Sequence, residues 1–202
     1  MRFVNQCEHP HLLYVTRCNL DDENREYGRT TTVKSSGCGL CAAIMAADRL
    51  LPVYQFDLPD AIQLSYDVKA NLNIGTDYAA FAPAFAEKLG LRYEVCADID
   101  GVRRCLRTGG VVVVLVGGDK NGHKGLFCGA GHYMTIIGEE PDGRLTILDP
   151  AFSPKRFKEQ GMEELRAEYI EVKNDMITIC NAEVLHGETI GKPGPYYLFW
   201  RA

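Results

Sequence analysis

Ser35-Ser36-Gly37-Cys38-Gly39-Leu40-Cys41 is the stretch on which the reading of this chain turns. The first 37 residues are polar and irregular, and the pattern changes at Cys38. Leu40, Ile44, Ala47 and Leu51 recur at spacings of four, three and four, which is one face of an α-helix that has to stop before Pro52. Cys38 therefore opens a helix after a run of small residues. The unpaired N–H groups and the positive end of the helix dipole favour thiolate over thiol at that position. Small neighbours also let a substrate backbone approach the sulfur. The plainer alternative is an ordinary helix-start cysteine.

Outward from this helix, residues 60–72 carry a second helical pattern on Ile62, Val68 and Leu72. A third follows Gly75, with Thr76 as N-cap, Phe81, Phe85 and Leu89 on one face and Gly90 as its stop. Pro83 fits that helix only within its first turns. A short fourth helix, 101–107, ends at Gly109-Gly110. Then the period switches. Residues 111–116 are a β-branched run suited to a buried strand, and 133–137, 145–148, 169–172, 176–179 and 196–200 follow as strands. Helices first and strands second indicate an α+β fold with a largely antiparallel sheet. The expected organisation is one domain over 1–202: an irregular segment 1–37, a helical part 38–109 and a strand-rich part 110–202. Residues 117–131, with six glycines in fifteen positions, are either a lid or a long connection.

Composition narrows the function classes. The chain has 202 residues, 46% hydrophobic and 24% charged, near the averages for globular proteins. No apolar run approaches the ~18 residues of a membrane helix, and the start lacks the apolar core of a signal peptide. A cytoplasmic protein with no membrane partner is expected. The net charge of −5 and scattered basic residues argue against nucleic acid. The basic clusters at 103, 104 and 107 and at 155, 156 and 158 read as solvated helix faces. The eight cysteines (7, 18, 38, 41, 96, 105, 128 and 180) read mostly as buried, reduced thiols.

Two further features could carry chemistry. His132 starts a strand directly after the glycine-rich loop, and Asp149-Pro150 ends the next one. Taken singly, these are a half-buried strand histidine and a turn signal. Taken with Cys38, they supply a nucleophile, a base and an orienting acid in an order that a helix packed on a sheet could bring together.

In this order the motifs resemble the papain-like cysteine peptidases of the bacteriocin-processing, double-glycine type, family thirty-nine, and especially its stand-alone branch. The resemblance runs from about residue 27 to about residue 150. It comprises Tyr27-Gly28, Ser36-Gly37-Cys38-Gly39 with Ala43-Ile44-Met45, and Gly75-Thr76 before a helix ending Lys88-Leu89-Gly90-Leu91. Leu106 before Gly109-Gly110, the 111–116 strand, Gly131-His132 and Asp149-Pro150 complete it. The resemblance implies a helical half and a sheet half with the active site in the cleft between them. It implies Cys38 as nucleophile, His132 as general base and Asp149 as orienting acid, acting on a peptide or amide substrate without cofactor or metal. Two departures stand out. Leu40 follows Gly39 where the family commonly has proline. The processing peptidases also carry a glutamine six residues before the cysteine to help stabilise the oxyanion, and here that position is Thr32, with Gln6 far upstream. Loss of one oxyanion donor costs ~10²–10³ in turnover. The Cys38 N–H with Asn19, Thr16 or Thr32 are the substitutes on offer.

Other readings use the same residues. Cys38-Gly39-Leu40-Cys41 is a C-x-x-C, as in thioredoxin-like oxidoreductases, but residues 30–36 make a poor central strand before it. Cys7, His9, His11 and Cys18, or His123, Cys128 and His132, could ligate zinc, yet their spacings are not those of zinc knuckles. A catalytically impaired binding module follows if the oxyanion donor is missing. Acyl transfer follows if an amine intercepts the thioester.

Overall fold

A strand that is apolar at every position needs cover on both faces, and Val111–Val116 has it. Val111 and Val113 join one core with Leu40, Ile44, Phe81, Phe85 and Phe199. Val112, Val114 and Val116 join a second with Val102, Met134, Ile136 and Leu198. The computed structural model describes residues 2–16, 31–72, 75–119, 122–152, 163–174, 177–191 and 193–202.

Along the chain, a 3-10 turn at Gln6–Glu8 precedes α1 (Val33–Ser36), α2 (Cys38–Leu50) and α3 (Leu58–Asp67). A small hairpin, β1 (Asn71–Leu72) and β2 (Gly75–Thr76), leads into α4 (Tyr78–Leu89), β3 (Leu91–Cys96), α5 (Ile99–Arg107) and β4 (Val111–Val116). β5 (His132–Glu139), β6 (Leu145–Leu148), α6 (Glu163–Tyr169), β7 (Ile170–Val172), β8 (Ile177–Cys180), α7 (Ala182–Glu188) and β9 (Tyr196–Arg201) follow. Among the described residues, one sheet runs in the order β3-β9-β4-β5-β6-β8-β7, and every pairing in it is antiparallel. α2 lies across β4 and β5 on one face, and α5 packs on β4, β5 and β9 on the other. The fold is α+β, as the order of helix and strand patterns predicts.

Local chemistry moved several boundaries. The second helix ends at Asp67 rather than 72, because Lys69 takes a left-handed φ of 59° and turns the chain into the hairpin. Asp77, not Thr76, caps α4: its side chain accepts from Ala79 N–H. Pro83 sits inside α4, beyond its first turn, while Phe81, Phe85 and Leu89 are buried as the stripe requires. β3 falls inside the stretch expected to be helical. Residues 163–169, not expected to be regular, are helical and end where a strand was expected to start. α7 was not anticipated, although Asn181 caps it by accepting from Glu183 and Val184 N–H. The basic positions 155, 156 and 158 lie outside the described residues, as do Cys18, Asn19, Tyr27-Gly28 and Met176. Among the described residues no helix is long and apolar enough to cross a membrane.

Candidate active site

Gly37 closes α1 and opens α2, and a Cβ there would stand 2.6 Å from Val33, so the tight corner that presents Cys38 requires glycine. Gly39 allows a second close approach. A Cβ on it would lie 2.9 Å from Thr76 Cβ and 3.0 Å from the Tyr78 ring, so α2 begins directly against the β2–α4 junction. Tyr78 Oη donates to Gly39 O at 2.6 Å within that contact. Four residues into α2's buried face, Ala42 O accepts from Thr135 Oγ1 at 2.9 Å. Thr135 is on β5, three residues after His132. The helix carrying the cysteine is thus bolted to the strand carrying the histidine.

His132 is the first residue of β5 and is only 3% exposed. Its Nε2 lies 2.6 Å from Asp149 Oδ1. Asp149 follows β6, the neighbour of β5, and is 1% exposed. Its Oδ1 also accepts from Ala151 N–H at 2.8 Å, which fixes the carboxylate. With Nε2 directed at the acid, the other ring nitrogen serves the hydrogen bond between His132 and Cys38.

The electrostatics follow from this geometry. Burial pushes the Cys38 thiol up, but the hydrogen bond and charge of His132, with the backbone N–H groups of Tyr133 and Gly39, outweigh it and hold the thiol below its ordinary value. Burial would lower His132, yet the charge and hydrogen bond of Asp149, followed by those of Cys38, raise it from 6.5 to about 9. Both directions favour a thiolate–imidazolium pair. Cys41, three residues along the same helix and fully buried, goes the other way because burial dominates there.

Gln6, set aside by its sequence spacing, is brought to this corner of the fold. It lies 32 positions before Cys38, yet its backbone N–H donates to Pro150 O at 2.7 Å, next to Asp149. Its Nε2 donates to Lys34 O at 2.8 Å, in the turn before the cysteine. The residue is 8% exposed and joins the acid's loop, through its backbone N–H, to the nucleophile's turn, through its carboxamide. The available signal was simple: Gln6 is the only glutamine ahead of Cys38. Thr32, at the expected position, is engaged with Ser35 at the start of α1. Thr16 is fully buried.

The described residues of the glycine-rich connection before His132 are held by several contacts. Leu126, Phe127 and Cys128 are buried. Glu188, 6% exposed on α7, accepts from Leu126 N–H at 2.9 Å and meets His123 Nε2 at 2.6 Å, while its carbonyl takes Gly117 N–H. Among the described residues, no three His, Cys, Asp or Glu side chains are grouped to hold a metal. The segment before the C-x-x-C is α1 rather than a central strand, so the redox motif lacks its usual setting.

No protein-family profile and no curated protein matches the chain in sequence. Solved structures do match in fold. The peptidase domain of Streptococcus ComA, a bifunctional ABC transporter of a quorum-sensing pathway, aligns with a TM-score of 0.52 at 14% identity, over 94% of this chain and 99% of that one. A protein from Bacillus anthracis assigned as a C39-like peptidase aligns with a TM-score of 0.55 at 10% identity, over 100% of this chain and 94% of that one. The chain has the α+β fold of these peptidases.

Proposed function

We propose that this protein is a cysteine peptidase-like hydrolase that cleaves a peptide or amide bond through Cys38, His132 and Asp149. The observation that carries this reading is the continuous set of contacts from the half-buried Cys38, through a buried imidazole, to a buried carboxylate. In the first half-reaction the Cys38 thiolate adds to the carbonyl carbon and the carbonyl electrons move to oxygen. Collapse breaks the C–N bond as the His132 imidazolium gives its proton to the departing amine, leaving a thioester on Cys38 and a neutral imidazole. Water then attacks the thioester, His132 takes its proton, and the acid departs with the thiolate and imidazolium restored. Asp149 orients the ring and stabilises its charged form throughout. The Cys38 backbone N–H and the Gln6 carboxamide are the oxyanion donors in this reading. Gln6 gives one amide hydrogen to Lys34 O and retains a second. Its position weakens the motive for an impaired binding module, which was a missing carboxamide.

Intact-protein mass spectrometry with an activated ester tests the proposal. An acyl adduct on Cys38 is expected to form and decay in the wild type and to be absent in Cys38→Ala. An adduct of equal amount in both proteins would overturn it.

A further inference from the structure

At the far end of α2 from Cys38, about 18 Å away at ~1.5 Å per residue, lies a cavity of ≈ 710 Å³ between the last turns of α2 and α5 and the β3–β9 edge. Arg49, Arg92, Arg104 and Arg201, all exposed, line it, with Glu94 as the one carboxylate, 3.9 Å from Arg92. Four guanidinium groups thus gather on a chain whose net charge is −5.

Neighbouring arginines show that this is not a general surplus of cation. On α5, Arg103 lies within ion-pair distance of Asp100, Glu139 and Glu183. Arg107 binds Glu139 with two nitrogens, at 2.9 and 3.1 Å. Arg104, between them in sequence, faces the cavity and has no carboxylate partner among the described residues. Nor does Arg49. Both stand in the last turn of their helices, where a cation complements the helix dipole, but the terminal carbonyls themselves are served by other groups. Leu50 O, at the end of α2, accepts from Arg201. At the end of α5, Thr108 Oγ1 serves Arg104 O and Cys105 O. The wall is set firmly: a Cβ on Gly110 would be 2.7 Å from Trp200 Nε1, which itself donates to Thr108 Oγ1 at 3.0 Å. Arg92 lies 5.3 Å over the Trp200 ring, so that aromatic face is occupied by a cation and is closed to a stacked base.

We propose that this cavity binds a compact phosphate-bearing anion of the polyphosphate type. Planar guanidinium forks pair with phosphate oxygens two at a time, which suits several arginines around one dense anion. The occluded indole disfavours a nucleotide held by its base.

Calorimetric titration with inorganic tripolyphosphate at constant ionic strength tests the site in the intact protein. One equivalent is expected to bind the wild type, about tenfold more weakly after Arg104→Ala and about a hundredfold after Arg49→Ala with Arg104→Ala. Arg144→Ala, at a surface pair with Asp142 and Glu171, should leave affinity unchanged and controls for net charge. Absence of binding, or equal losses in Arg104→Ala and Arg144→Ala, would overturn the proposal. ATP binding more than about tenfold tighter than tripolyphosphate, or a poly-glutamate peptide binding as tightly, would overturn the assigned ligand class. Melting temperatures like the wild type's confirm that the variants are folded. The readout involves no turnover, so it stands or falls separately from the hydrolase reading.

Discussion

Asp149→Asn keeps a hydrogen-bond acceptor beside His132 and deletes the charge, which isolates what the carboxylate does. The imidazole rises from 6.5 to about 9 against the effect of its own burial, and Asp149 leads the causes that raise it, ahead of Cys38. That rise is worth roughly 3 kcal/mol in favour of imidazolium. Without the charge, burial is opposed mainly by Cys38, and His132 should titrate well below its wild-type value. The sign for stability follows from a folded value above the unfolded one. The pairing stabilises the fold fully below 6.5 and loses that contribution as pH rises through about 9. The urea-unfolding gap between wild type and Asp149→Asn should therefore be widest near pH 6 and shrink above pH 9, by about the same few kcal/mol. Proton NMR titration of the imidazole, assigned against His132→Gln, reads the shift directly. If His132 titrates in Asp149→Asn where it does in the wild type, the carboxylate does not hold its charge and the electrostatic reasoning fails.

Three other outcomes are expected. Gln6→Ala should lower kcat by about 10²–10³ while leaving Cys38 alkylation unchanged; a matching fall in alkylation would mean that Gln6 only supports the fold. Gly39→Ala should cost about 1–3 kcal/mol in urea denaturation, because the new Cβ presses on Thr76 and Tyr78, and should slow Cys38 alkylation by displacing α2; wild-type values for both would contradict the close contact. Glu188→Ala should raise amide hydrogen exchange at Leu126 about tenfold or more, since that N–H loses its buried acceptor; unchanged exchange would show the loop is held by packing alone.

What the sequence revealed depended on whether the signal was local. The α2 stripe is strong because Leu40, Ile44 and Ala47 all face one core, and the valine run of β4 is unmistakable because both faces are covered. The candidate residues Cys38, His132 and Asp149 drew notice through chemistry at element ends, and the fold brings them together. β3 was overlooked even though Leu91, Tyr93 and Val95 alternate with Arg92 and Glu94, because an edge strand with charges on one face looks like a connection until β9 is found beside it. Residues 163–169 and 182–188 are short helices with few buried positions, so periodicity had little to act on. Gln6 was passed over for a different reason. Spacing along the chain stood in for spacing in space, and the fold returns Gln6 to the Lys34 turn and the Pro150 loop despite the long segment between.

The most direct test of the thiolate–imidazolium pair is the pH dependence of iodoacetamide alkylation, read cysteine by cysteine by mass spectrometry, in wild type and His132→Ala. The half-buried Cys7 and Cys96 provide internal comparison. Cys38 should react rapidly well below the range of an ordinary thiol, about 8.5, and change again as His132 loses its proton near 9; His132→Ala should abolish the low-pH reactivity. A Cys38 profile that matches those of Cys7 and Cys96, and is indifferent to His132→Ala, would contradict a nucleophilic role for this cysteine.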